Sequence, residues 1–102
     1  MPAEQHMVVV IQNNNMLRQA RDINVVKITS NLDGINAPYN VRLPANTLGD
    51  RQRYESKIEC HAIYGVTKEV LLNGEYCGQI PDEIMEQIDN AILFSLGFFS
   101  ED

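Results

Sequence analysis

The chain has no tryptophan, only two cysteines, and no lysine or arginine beyond Lys68. Each scarcity removes a class of protein. Cys60 and Cys77 cannot make a disulfide framework, and Cys60-His61 with no second such pair is not a zinc site, so both thiols are expected as small apolar fillers. Neither a metal nor a cofactor is expected. No apolar run approaches the ~20 residues of a membrane helix. Residues 1–6 are also too short and polar for a secretory signal, which leaves the cytoplasm as the expected compartment. Residues 69–102 hold eight acids and no base, so that end repels nucleic acid. Residues 1–68 hold all eight bases against six acids, and a polyanion must therefore bind through Arg18, Arg21, Lys27, Arg42, Arg51, Arg53 or Lys57. A solvated acidic C-terminal helix explains the same asymmetry. Aromatic rings for stacking are also few, with only Tyr39, Tyr54 and Tyr64 outside the C-terminal region.

At 102 residues the chain forms a single domain over 1–102, able to bury roughly two-thirds of its unfolded surface without a disulfide or metal staple. Residues 1–7 read as a disordered leader or a cloning remnant, with His6-Met7 as the junction and Met7 as the alternative native start. Val8 to Gln12 is an almost continuous apolar run, the pattern of a central strand buried on both faces, and Asn13 to Asn15 end it in a turn. Met16 to Asp22 form an exposed connection to an antiparallel partner strand, residues 32–39 a loop, and Val41 to Leu43 a short strand near an edge. Ala45 to Asp50 read as a turn or a single helical turn. Ser56 to Ile63 carry the clearest period-2 signal, with Ile58, Cys60 and Ala62 inward and Lys57, Glu59 and a solvent-accessible His61 outward. Thr67 to Leu72 predict one helical turn and Tyr76 to Ile80 a last strand. Pro81 to Leu96 predict a helix with Asp82 and Glu83 at its positive end, Gly97 at its close, and an apolar stripe of Ile84, Ile88, Ala91, Ile92 and Leu96.

Val25 to Asn31 is the organising stretch. Its β-branched residues predict a strand that places Lys27 and Thr29 on one face and Val26, Ile28 and Ser30 on the other. Thr29 then stands beside a cation at a strand end, although threonine is also simply a good strand former. Gln12, Asn13, Ser30 and Asn31 converge at the ends of two neighbouring strands, where their amides and hydroxyls suit the edges of unstacked bases or serve turn chemistry. Lys27 and Ser56 are candidate phosphate contacts. His6 titrates near neutral pH and is a candidate acid or base.

Short strands, Asn- and Gly-containing turns and one C-terminal amphipathic helix describe a mainly β protein, a small helix-capped barrel. The order Val8 to Asn13, Val25 to Ser30, Val41-Arg42-Leu43, a strand opening at Ser56 and a helix closing on Leu96-Gly97 resembles the MazF/PemK family of bacterial toxins. That resemblance implies an SH3-like barrel that forms a homodimer, cleaves single-stranded RNA without a metal and is neutralised by a cognate antitoxin. It implies a catalytic role for Thr29, beside an arginine of an Arg-Pro pair where this chain has His6-Met7. The family's first strand and loop would precede the residues present here, and His61-Ala62 stand where many members carry Glu-Gln, a position that contacts RNA. Two further readings stay open. One is a catalytically silent module for dimerisation and antitoxin binding. The other is a CcdB-like toxin, which the absence of tryptophan and the Phe-Phe-Ser-Glu-Asp terminus disfavour.

Overall fold

The computed structural model describes residues 7–11 and 21–97. They form strands β1 (Met7–Val10), β2 (Asp22–Thr29), β3 (Asn40–Leu43) and β4 (Ser56–Thr67), a short helix α1 (Lys68–Leu72) and a long helix α2 (Asp82–Ser95). The sheet order is β1-β2-β4-β3 and every described pairing is antiparallel. This is the expected mainly β fold with a C-terminal helix, its described ladders leaving the sheet open between β1 and β3.

Two strand expectations are corrected. The strand predicted over Val8 to Gln12 lies at an edge of the described sheet, with Val9 buried and Val10 exposed, while Gln12 falls outside the described residues. The strand covered on both faces is β2. There Ile23 and Val25 are buried out of phase with Val26 and Ile28, so residues pointing to both faces of the strand are shielded from solvent. Tyr76 to Ile80 is not a strand either. Gly78 sits at φ +138, outside the extended range of an L-residue, and Ile80 enters the core as a single anchor rather than through a ladder.

The core joins Val26 and Ile28 of β2, Val41 and Leu43 of β3, and Ile58 and Cys60 of β4 to Ile88 and Ala91 of α2. Each fully buried aliphatic side chain contributes about 1.5–3 kcal/mol against leaving it in water. The helix covers β3 and β4 with the predicted stripe, save that Leu96 lies past the last turn and is exposed. The Val26↔Ile63 pair is followed directly by Lys27↔Glu59, so Cys60, His61 and Ala62 have no partner on β2 and β4 bends sharply there.

Both cysteines are free, Cys60 buried and Cys77 half-buried. Burial among apolar neighbours, with a smaller push from the Asp89 carboxylate, raises the Cys60 thiol to about 12. A thiol-specific reagent at pH 8 is therefore expected to label Cys77 in the native protein and both cysteines only after unfolding. Because the folded value lies above the unfolded one, this group's stabilisation is intact below pH 9.0 and declines as pH rises towards 12. Equal native labelling rates for the two thiols contradict this picture.

Candidate active site

Thr29 closes β2 directly opposite Lys57 of β4, and Lys57 in turn pairs with Arg42 of β3. Directly opposed residues share a face of a sheet, so these three side chains form one row. Two residues along lies a second row, Lys27, Glu59 and Asn40, on the same face. The residues between them, Ile28, Ile58 and Val41, point the other way into the core. At this end of the sheet strand alternation thus separates a polar, cation-rich face from the apolar one.

The loop after β2 folds back over the polar face. Thr29 Oγ1 accepts from the Asn31 backbone N–H at 3.2 Å, and Asn31 Oδ1 accepts from the Asp33 N–H at 2.9 Å, an Asx turn that reverses the chain. Gly34, at φ +74, continues the reversal, and its carbonyl accepts from Asn40 Nδ2 at 2.7 Å. The Lys57 ammonium donates to the Asp33 carbonyl and lies 3.9 Å from Glu59 Oε2. Lys57 was expected on the solvent side and is instead 7% exposed, because this loop closes over it. Arg42 pairs with Glu55 across half-exposed side chains, a contact worth at most ~1 kcal/mol. The Lys27 ammonium sits 5.1 Å from the Tyr64 ring centroid.

Accepting from Asn31 leaves the Thr29 hydroxyl hydrogen free to be donated outward, towards an anionic oxygen. In the neighbouring row, on β3, Asn40 Oδ1 is shut off from solvent with no hydrogen-bond partner among the described residues. It is an open acceptor that a donor on a bound molecule, or an ordered water, would satisfy.

On the core side of the same sheet end lies a second feature, an open groove of about 190 Å³ lined by Met7, Ile28, Ser30, Arg51, Arg53 and Tyr54, with Gln52 and Ser56 beneath. Ser56 is buried and its hydroxyl donates to the Tyr54 carbonyl at 2.9 Å, which fixes the turn into β4.

The structure thus brings Thr29, Asn31 and Lys27 to one polar face and Ser30 and Ser56 to the groove. His61 is solvent-exposed on the β4 bend, as expected, and its ring meets Tyr39 edge-on at 4.6 Å and 65°. His6, Gln12 and Asn13 lie outside the described residues. Nothing in the local sequence marks Lys57 and Arg42 as partners of Thr29. The period-2 pattern puts Lys57 on the polar face, but only the β2–β4 pairing sets it against Thr29. Among the described residues no group of His, Cys, Asp and Glu is arranged to hold a metal ion, and no helix is long and apolar enough to cross a membrane.

The model of the PemK-like, MazF-like toxins of type II toxin-antitoxin systems matches residues 2–96. The chain belongs to this family. Among solved structures it is similar to an endoribonuclease in complex with its cognate antitoxin from a mycobacterial species, with a TM-score of 0.74 and 20% identity over 91% of this chain and 82% of that one. It is similar also to the Mycobacterium tuberculosis toxin MazF-mt6, with a TM-score of 0.69 and 16% identity over 88% of this chain and 84% of that one. At these identities the likeness is one of fold. No curated protein matches the chain by sequence. Membership of the PemK-like toxins gives Thr29 its context, since it closes the strand that the family resemblance singles out.

Proposed function

We propose that the chain is the toxin of a type II toxin-antitoxin pair, a cytoplasmic, homodimeric endoribonuclease that cuts single-stranded mRNA without a metal and is held in check by its antitoxin. The observation that carries the reading is the in-register row Thr29, Lys57 and Arg42 on a polar face of the family's fold. Metal-free cleavage uses the 2′-hydroxyl of the RNA itself. Its oxygen attacks the adjacent phosphorus, the bond from phosphorus to the 5′-oxygen breaks, and a 2′,3′-cyclic phosphate and a free 5′-hydroxyl result. One proton leaves the nucleophile for a base and another reaches the leaving oxygen from an acid. Thr29 is suited to donate a hydrogen bond to a phosphate oxygen, and Lys57, Lys27 and Arg42 to offset the charge of the phosphorane. His6 is a candidate for the base or the acid of these transfers in this reading.

The activity we propose is weak. The Lys57 ammonium is already committed to the Asp33 carbonyl and Arg42 to Glu55, so a substrate phosphate must displace existing partners. The same commitments favour a second reading, a silent member kept for dimerisation and antitoxin binding. Incubation with long single-stranded RNA in excess EDTA separates the two. Products with cyclic phosphate ends support the enzyme, and intact RNA with retained antitoxin binding supports the silent module.

A further inference from the structure

Arg51 and Arg53 flank Gln52, whose side chain is turned inward and is 4% exposed, so the two guanidinium groups are carried outward on the rim of the groove. Arg51 is paired with Glu75, whereas Arg53 has no ion-pair partner among the described residues. Next to it Tyr54 is 70% exposed, a large aromatic residue left open to solvent. Ser30, the residue after Thr29, also lines the groove, and Met7 and Ile28 give it an apolar floor. A cation without an ion-pair partner among the described residues, an exposed tyrosine, a hydroxyl and an apolar floor around one opening match the parts of a nucleotide: phosphate, base and ribose.

We propose that this groove is a nucleotide subsite, holding the residue of single-stranded RNA next to the one cut at Thr29. Arg53 pairs with its phosphate, Tyr54 stacks on its base, and Ser30 makes a polar contact at the boundary with the Thr29 face. The inference rests on the endoribonuclease reading for its substrate class. The groove is pre-shaped, because the buried Gln52 amide and the Ser56 hydroxyl hold the backbone on which Arg53 and Tyr54 stand. An acidic protein segment would also suit an arginine. It would not need the exposed tyrosine or the serine at the strand end, so RNA is the better match.

The test uses the full chain and a single-stranded RNA oligonucleotide made uncleavable by 2′-deoxy substitution, with affinity read by fluorescence anisotropy across a salt series. Arg53→Ala is expected to weaken binding about tenfold and to make the log-log salt slope shallower by about 0.7, the share of one phosphate on a single strand. Tyr54→Ala is expected to weaken binding about tenfold regardless of base identity, as loss of one stacking platform does. Both residues are exposed, and unchanged melting temperatures will show that the fold is kept. Binding within twofold of wild type for both variants overturns the subsite. So does a loss confined to antitoxin binding, which marks a protein-docking surface instead. Cutting that needs Thr29 with binding indifferent to Arg53 keeps the enzyme and removes the groove. Binding that needs Arg53 in a chain that cuts nothing keeps the groove and removes the enzyme, and a wild type that binds no RNA removes both.

Discussion

Thr29→Ala is expected to lower the rate of RNA cleavage by about 10²–10³-fold, the typical cost of deleting one donor aimed at a developing oxyanion. The side chain is half-buried, and its only hydrogen bond among those of the described residues accepts from the exposed Asn31 N–H, which water can satisfy in its place. Stability should therefore fall by no more than about 1 kcal/mol, so lost activity will not be lost fold. Thr29→Ser keeps the hydroxyl and should recover most of the rate. Single-turnover cleavage of a labelled RNA, with circular dichroism of each variant, gives both quantities. A loss below tenfold in Thr29→Ala removes this residue from the chemistry and leaves the cation row as a binding feature.

Gln52→Ala is expected to be among the most destabilising polar substitutions available, at about 2–4 kcal/mol. Its Oε1 accepts from the Leu48 N–H at 3.1 Å, and its Nε2 donates to the carbonyls of Pro44 at 2.8 Å, Tyr54 at 3.1 Å and Leu43 at 3.2 Å. With two hydrogens for three acceptors the amide shares one of them, and it joins both ends of the β3–β4 connection to its middle. Alanine leaves these backbone groups short of partners in a site that water reaches poorly, because Gln52 and Leu43 are both buried. Gln52→Glu keeps the shape but loses the donor, and is expected to destabilise strongly at neutral pH. Urea denaturation of the three proteins measures the difference, and a shift under 1 kcal/mol for Gln52→Ala refutes the staple.

Gln52 also marks what the sequence concealed. A glutamine between two arginines reads as loop surface, and nothing local says that its amide lies under Leu43 and Tyr54. Where a signal is carried by the chain's own periodicity, the reading succeeded. The β-branched run through Val25 to Thr29, the inward Ile58 and Cys60, the exposed His61 and the helix after Pro81 are all where alternation and helical spacing put them. Periodicity reports faces, however, and not neighbours. It could not tell that the valines of β1 lie at an edge, that Ile80 anchors a segment with no ladder, or that a loop carbonyl from Asp33 would bury Lys57. Thr29 was legible as a strand-end hydroxyl, and its row with Lys57 and Arg42 only once the register was known. The Arg53–Tyr54 groove arises from segments distant in sequence and left no local pattern.

The break in β4 at Cys60 to Ala62 has a consequence for register. On one side of it, Ser56 to Glu59 are clamped between β2 and β3 beneath α2. On the other, Ile63 to Thr67 are paired with β2 and continue straight into the exposed turn of α1. The strand is continuous, but it meets β2 in two separate registers. The three residues between them take up the mismatch, so the register that sets Lys57 opposite Thr29 is kept separate from the one that runs on into α1.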